Sequence, residues 1–220
     1  MPGPRAHDHR VCFFGDSFTA GVGDSTARGW VGRSIARARA EGHALTGYNL
    51  GVRRDTGRDV ARRWEAEAKT RLRHGDRFGI VLAVGVNDTK LVDGRRRASA
   101  AQTVACVRLI AAKAAGLGWS AMVVGPTPVA DQTRNPSIHS LSTDLADSCL
   151  AVGTPYVDLT AVLLGDDAWM DEVAGEDGAH PAAAGYARMA ELIFPTFTSW
   201  LSDGPASGTG ADVSAQDRHD

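Results

Sequence analysis

Long hydrophobic runs are absent from this sequence of 220 residues. No stretch reaches the roughly 18 uncharged apolar residues that a transmembrane helix requires, so no membrane span is predicted. Cysteine is scarce: Cys12, Cys106 and Cys149 are an odd number without metal-ligand spacing, which argues against a disulfide framework and a zinc site. The first ten residues also lack the apolar centre of a signal peptide, and a cytoplasmic location is therefore expected.

Lysine is equally rare, and the 24 basic residues are balanced by 26 acidic ones, for a net charge of −2. This balance does not favour a nucleic-acid partner. The charge is unevenly spread, because residues 53–77 are rich in arginine whereas residues 135–187 contain acidic residues and no lysine or arginine. The run Arg95–Arg97 is interpreted as a solvated approach to a helix or, alternatively, as a contact to an anionic group of a substrate.

Short apolar runs alternate with longer amphipathic segments along most of the chain. The pattern predicts strands at 11–14, 44–50, 78–84, 121–124 and 155–159, and helices at 31–41, 57–73, 99–117, 137–152 and 181–201. This repeated alternation is typical of a parallel sheet covered on both faces. The prediction is an α/β fold, a three-layer α/β/α sandwich with a five-stranded parallel, flavodoxin-like sheet. Residues 1–9 form a lead, 10–201 the domain, and 202–220, which lack Leu, Ile, Met and aromatic residues, a disordered tail.

Polar residues follow four of these five strands. The first strand is followed by Ser17, the second by Gly51, the third by Asn87, and the fifth, before the last helix, by Asp177 and His180. Because ligands of open parallel sheets bind beyond the carboxyl ends of the strands, these residues are expected to lie together.

The residue types suit hydrolysis by a serine nucleophile. His180 can take the proton of Ser17 as a general base, and Asp177, three residues earlier, can orient the imidazole and stabilise its charged form. An oxyanion needs preorganised N–H donors, which the backbone of Ser17, the backbone of Gly51 and the side chain of Asn87 could supply. The absence of a Cβ at Gly51 would let substrate approach its amide.

The four segments FFGDSFTAG, NLGVRRDT, GVND and DGAHP resemble, in order, conserved blocks of the SGNH hydrolases, also called the GDSL esterase/lipase family. The resemblance implies a serine esterase that acts on a small-molecule carboxylic ester or thioester through an acyl-serine, with no metal and no cofactor. It implies Ser17, Asp177 and His180 as catalytic residues, with Gly51 and Asn87 in the oxyanion hole. One departure is visible: a glycine is common three residues after the second-block glycine, and here that position is Arg54.

Other interpretations remain open at this point. An acyltransferase of the same family would pass its acyl group to an alcohol instead of water, and a flavodoxin-like binding module would have no enzymatic activity. Trp169 and Met170, predicted to lie in a loop before Asp177, are candidates for the wall of the substrate pocket. The sequence does not indicate the ester, the acyl chain length or the oligomeric state.

Overall fold

The structure is a computed structural model that describes residues 7–203. Five parallel strands form its main sheet, in the order β2-β1-β3-β6-β7. The strands are β1 (His9–Gly15), β2 (Leu45–Gly51), β3 (Arg77–Ala83), β6 (Ser120–Val124) and β7 (Tyr156–Val157), and a separate hairpin contains β4 (Leu91–Val92) and β5 (Arg95–Arg96). Counted within the main sheet, this order is the flavodoxin-like 2-1-3-4-5, as predicted.

Helices cover both faces of this sheet. They are α1 (Ser17–Ala20), α2 (Gly29–Ala40), α3 (Gly57–Arg71), α4 (Ala100–Gly116), α5 (Asn135–Leu150), α6 (Leu159–Leu163), α7 (Asp167–Gly175) and α8 (Ala183–Asp203). Helices α2 and α8 pack together on one face, and α3, α4 and α5 pack on the other. The predicted three-layer α/β/α sandwich is therefore confirmed.

Alternate residues of β1 supply the two halves of the core. Val11 and Phe13 belong to the apolar cluster beneath α2 and α8, whereas Cys12 and Phe14 belong to the cluster beneath α3 and α4. All four are buried, because β1 is flanked by β2 and β3 and covered on both sides. Such strands read as continuous apolar runs, which explains why this strand was visible in the sequence.

Three short helices and one short hairpin were not predicted from the sequence. Helices α1, α6 and α7 and the β4–β5 hairpin are too short to show a clear periodicity. Their start signals are nevertheless present: Asp158 caps α6 by accepting from Ala161 N–H, and Asp166 caps α7 by accepting from Trp169 N–H. Trp169 and Met170 therefore lie on helix α7, and their assignment to a loop was wrong.

The ends of the domain differ slightly from the prediction. Strand β1 begins at His9, and helix α8 continues to Asp203, so residues 202 and 203 are helical. The rest of the predicted disordered tail, and residues 1–6 of the predicted lead, lie outside the described residues.

Candidate active site

Ser17 stands just after the carboxyl end of β1, an inner strand of the sheet. It is the first residue of α1, whose N-cap, Asp16, accepts a hydrogen bond from Phe18 N–H at 2.9 Å. The neighbouring strands β2 and β3 run on opposite sides of β1, so Ser17 lies at the point where the strand order reverses. This switch point is where open parallel sheets bind their ligands.

His180 and Asp177 reach Ser17 from the loop between α7 and α8. The Nε2 atom of His180 lies 2.7 Å from Ser17 Oγ, and its Nδ1 atom lies 2.7 Å from Asp177 Oδ2. The other carboxylate oxygen of Asp177 accepts the backbone N–H groups of Ala179 at 3.0 Å and His180 at 2.8 Å. The structure thus brings these three sequence-predicted residues into one hydrogen-bonded chain.

Aromatic residues hold this chain in place. The ring of Phe18 packs on the imidazole of His180, with 4.9 Å between ring centroids. Tyr186 on α8 donates its hydroxyl hydrogen to Val22 O at 2.7 Å, which links the helix after His180 to the turn after Ser17. Both contacts restrict the imidazole to a position beside the serine.

Asp177 is held in its ionised form. Partial burial alone would raise the pKa of this carboxyl, but the hydrogen bonds from the backbone N–H and side chain of His180, and from Ala179, outweigh that effect and lower the pKa to about 2. A carboxylate in contact with Nδ1 favours the tautomer that leaves Nε2 free to accept a proton from Ser17.

Asn87, which follows β3, also reaches this point. Its Nδ2 group donates to Asp16 Oδ2 at 3.0 Å and to Asp55 O at 3.2 Å. Asp16 is completely buried, and desolvation raises its pKa to about 7, although the hydrogen bonds from Phe18 and Asn87 act in the opposite direction. Asn87 therefore links the turn after β1 to the loop after β2.

Gly51 does not occupy the position predicted for an oxyanion donor. Its N–H donates to Asn49 Oδ1 at 3.1 Å, and Gly51 is not among the residues that line the cleft beside Ser17. A Cβ at this position would collide with the backbone of Ala20 and lie 2.8 Å from Asp16 O. Glycine is needed here because β2 packs closely on α1, not because substrate approaches the amide.

Arg54 lies in the cleft instead. Its φ of +70° places it in the left-handed region that glycine adopts without cost, which fits the glycine expected at this position. Among the described residues, the backbone N–H groups of Arg54 and Ser17 have no hydrogen-bond acceptor. Arg97 donates from Nη1 to Arg54 O at 2.7 Å and so holds this peptide in its strained conformation.

A cleft of about 210 Å³ opens beside the serine, with Ser17, Arg54, Asn87, Asp177 and His180 in its wall. The pocket prediction for Trp169 and Met170 does not match this cleft, because neither residue lines it. Trp169 is buried in the core, where its indole N–H donates to Pro128 O at 3.3 Å.

Sequence reasoning also missed residues that do line the cleft. Phe18, on α1, and Arg53 stand inside the blocks that contain Ser17 and Gly51 but were not chosen as pocket residues, and Lys90 carries no local motif. Arg134 lines the cleft from the loop 125–134 after β6. The one available signal was Arg54, at the position where the family pattern has glycine. Within residues 7–203, no cluster of His, Cys, Asp and Glu side chains could hold a metal ion, and no helix is long and apolar enough to cross a bilayer.

Solved structures with this fold include several esterases. The acetylxylan esterase Axe2 of Geobacillus stearothermophilus is 16% identical, with a TM-score of 0.70 over 87% of this chain and 94% of that one. The α/β hydrolase LAE5, from the metagenome of Lake Arreo, Spain, is 18% identical, with a TM-score of 0.70 over 90% and 98% of the two chains. The acetyl xylan esterase AlAXEase is 19% identical, with a TM-score of 0.70 over 84% and 98%.

No curated protein matches this sequence. The model of the GDSL-like lipase/acylhydrolase family, in contrast, matches residues 13–188, which include Ser17 at one end of the domain and His180 at the other. The match covers most of the chain and agrees with the resemblance drawn from the four sequence blocks. The chain therefore belongs to the GDSL-like lipase/acylhydrolase family of ester-hydrolysing serine hydrolases.

Proposed function

We propose that this protein hydrolyses carboxylic esters of small molecules through an acyl-serine intermediate on Ser17. The observation that carries the proposal is the hydrogen-bonded chain in which His180 Nε2 and Nδ1 lie 2.7 Å from Ser17 Oγ and Asp177 Oδ2. The acetylxylan esterases that share the fold support an ester substrate, and the cleft of about 210 Å³ suits a short acyl group.

The reaction follows from the positions of these groups. His180 takes the proton of Ser17 Oγ as that oxygen attacks the ester carbonyl, and Asp177 stabilises the resulting imidazolium. When the tetrahedral intermediate collapses, the imidazolium gives the proton to the leaving alcohol, and the acyl group remains on Ser17. Water then attacks the acyl-serine with His180 again as general base, which releases the carboxylic acid and restores the serine.

The oxyanion is proposed to bind three N–H donors: the backbone amides of Ser17 and Arg54 and the side-chain amide of Asn87. The two backbone groups lack acceptors within the described chain, so they are available to a developing charge. Both hydrogens of Asn87 Nδ2 already have acceptors, at 3.0 and 3.2 Å, so the oxyanion must replace or share one of them. The longer contact, to Asp55 O, is the one we expect to yield.

Active-site labelling tests the proposed function. The protein should hydrolyse 4-nitrophenyl acetate, and a serine-directed organophosphonate should stop the reaction with one equivalent bound. Peptide mapping by mass spectrometry should place the label on Ser17, because within residues 7–203 this is the one serine whose hydroxyl contacts a histidine ring. A label on another serine, or turnover that survives complete labelling of Ser17, would contradict the proposal.

Replacement of Asn87 separates oxyanion binding from loop support. Asn87→Ala should lower kcat by about 10²–10³ with a smaller change in KM, since the donor acts mainly in the transition state. The control is Asn49→Ala, which removes hydrogen bonds to Thr19 O and Gly51 N–H in the same region without changing a cleft residue. We expect the control to keep kcat within about tenfold of the parent, and an equal loss in both variants would assign Asn87 to loop support alone.

A further inference from the structure

The cleft beside Ser17 is lined by four cationic side chains: Arg53, Arg54, Lys90 and Arg134. The single acidic residue in its wall, Asp177, is bonded to His180. Within residues 7–203, none of the four cations forms an ion pair with a carboxylate. A substrate in this cleft therefore meets a positive charge that the described chain does not neutralise.

Several arginines elsewhere in the fold form ion pairs with carboxylates. Arg63 contacts Asp55 at 2.8 Å and Glu67 at 3.1 Å, Arg33 contacts Asp24, and Arg188 contacts Asp166 at 3.0 Å. The protein carries a net charge of −2, so the cationic cleft is not the result of an overall basic surface. The cleft differs in that its wall brings four cationic side chains together with one carboxylate, which is already bonded to His180.

The guanidinium of Arg134 is partly buried and incompletely hydrogen-bonded. Its Nη2 atom donates to Val86 O at 2.9 Å, but its Nε atom is buried and has no hydrogen-bond acceptor in the described chain. Desolvation lowers the pKa of this guanidinium. A guanidinium that is partly desolvated and incompletely hydrogen-bonded is costly to keep charged, and an anion beside its accessible part would reduce that cost.

Lys90 and Arg134 also line a second cavity, of about 390 Å³, which adjoins the catalytic cleft. Arg96 enters this cavity from the β4–β5 hairpin and donates to Ser137 Oγ at 2.7 Å. Its acidic residue, Asp131, accepts hydrogen bonds from Thr133 N–H and hydroxyl. Lys90 and Arg134 thus lie between the two cavities. A carboxylate attached to an ester in the catalytic cleft would meet these two cations at the boundary.

Building on the proposed esterase activity, we infer that the preferred substrate is an ester that carries a carboxylate, held by Lys90 and Arg134 while the ester carbonyl lies at Ser17. In this arrangement, Lys90 and Arg134 would bind the carboxylate on one side of the ester carbonyl. Arg53, on the loop that also contains Arg54, adds a further positive charge at the cleft.

Matched substrates test this inference and show which part of the ester carries the charge. On the alcohol side, 4-acetoxybenzoate is compared with 4-acetoxybenzamide, which has nearly the same shape and also releases a para-substituted phenol, but carries no charge. On the acyl side, the monophenyl ester of adipic acid is compared with that of its monoamide. For at least one pair, we expect kcat/KM at low ionic strength to be about tenfold or more higher for the anionic ester than for its amide partner. The difference should shrink in roughly 0.5 M salt, because salt screens the attraction between the carboxylate and the cations.

Variants identify the cations responsible. Lys90→Gln and Arg53→Gln each change an exposed side chain and should reduce kcat/KM for the anionic ester about threefold to tenfold, with little change for its amide partner. Asp131→Asn should have the opposite effect, because it removes the acidic charge from the adjoining cavity. The control is Arg108→Gln, an equal loss of charge on the exposed face of α4, outside both cavities.

Several results would overturn the inference. These are the absence of an anion preference in both pairs, a preference that Lys90→Gln reduces no more than Arg108→Gln does, or equal losses for anion and amide. Binding of the same four esters to the Ser17→Ala variant, followed by calorimetry, measures the charge preference without turnover. If the anionic esters bind more tightly than their amide partners but the parent protein hydrolyses no ester, the proposed esterase function is rejected and the anion site is retained.

Discussion

Ser17→Ala should fold normally and lose about three to six orders of magnitude in kcat towards a 4-nitrophenyl ester, the scale seen when a catalytic serine is removed. The loss is large because no other hydroxyl contacts His180 in the described structure, so the acyl intermediate cannot form. Steady-state kinetics measure the loss, and circular dichroism with thermal unfolding checks that the fold is retained. Phosphonate labelling should disappear in the same variant.

The matched control for this change is Ser34→Ala. Ser34 is also buried, on helix α2, and its hydroxyl has no partner among the described residues. Its removal should leave kcat unchanged and stability equal or slightly higher, because an unsatisfied buried hydroxyl contributes nothing favourable. Activity above a thousandth of the parent in Ser17→Ala, with contamination excluded by labelling, would reject Ser17 as the nucleophile.

Asp177→Asn should lower kcat by about 10²–10⁴ while the protein remains folded. The asparagine oxygen can still accept the backbone N–H groups of Ala179 and His180, so the turn is kept. Its NH₂ group, however, would face His180 Nδ1 and favour the tautomer with a hydrogen on Nε2, which cannot accept the proton of Ser17. Kinetics across pH, compared with the parent enzyme, measure the effect.

The pH dependence gives this variant a second readout. The pKa of Asp177 is lowered to about 2 from an ordinary value of 3.8, so the stability it contributes is present above about pH 4 and is lost as the pH falls towards 2. Asp177 therefore stays ionised above about pH 4. If kcat/KM already falls while the pH is lowered towards 4, protonation of Asp177 is not the cause. Near-full activity in Asp177→Asn, with an unchanged pH profile, would make Asp177 a loop-shaping residue.

The sequence by itself determined the fold class and the chemical character of the site. Buried strands appear as apolar runs, as in β1 and β3, and long amphipathic helices such as α3 repeat apolar residues every turn. Because parallel strands all end at one edge, polar residues after successive strands must meet there. Ser17, Asp177 and His180 could be chosen on that ground, and the structure places them within hydrogen-bonding distance.

Short elements were harder to predict, because their signals occupy only a few residues. The β4–β5 hairpin turns at Asp93 and Gly94, both with positive φ, and this Asp-Gly pair is a common turn signal. The run Arg95–Arg97 is thus part of a hairpin and the segment after it, instead of a plain approach to a helix. The two strands that flank the turn have two residues each, which is too short to show the alternation of apolar and polar residues that is typical of a strand.

Only the tertiary structure decided which loop groups face the nucleophile. The path after β2 depends on close packing of Gly51 against α1 and on Arg63, which donates to Gly15 O and Leu50 O from helix α3. On this path Arg54 lies in the wall of the cleft and Gly51 does not. Likewise Trp169 is a core residue, and the cleft cations converge from separate loops. Such placements depend on contacts between residues distant in sequence, and local propensity carries no information about them.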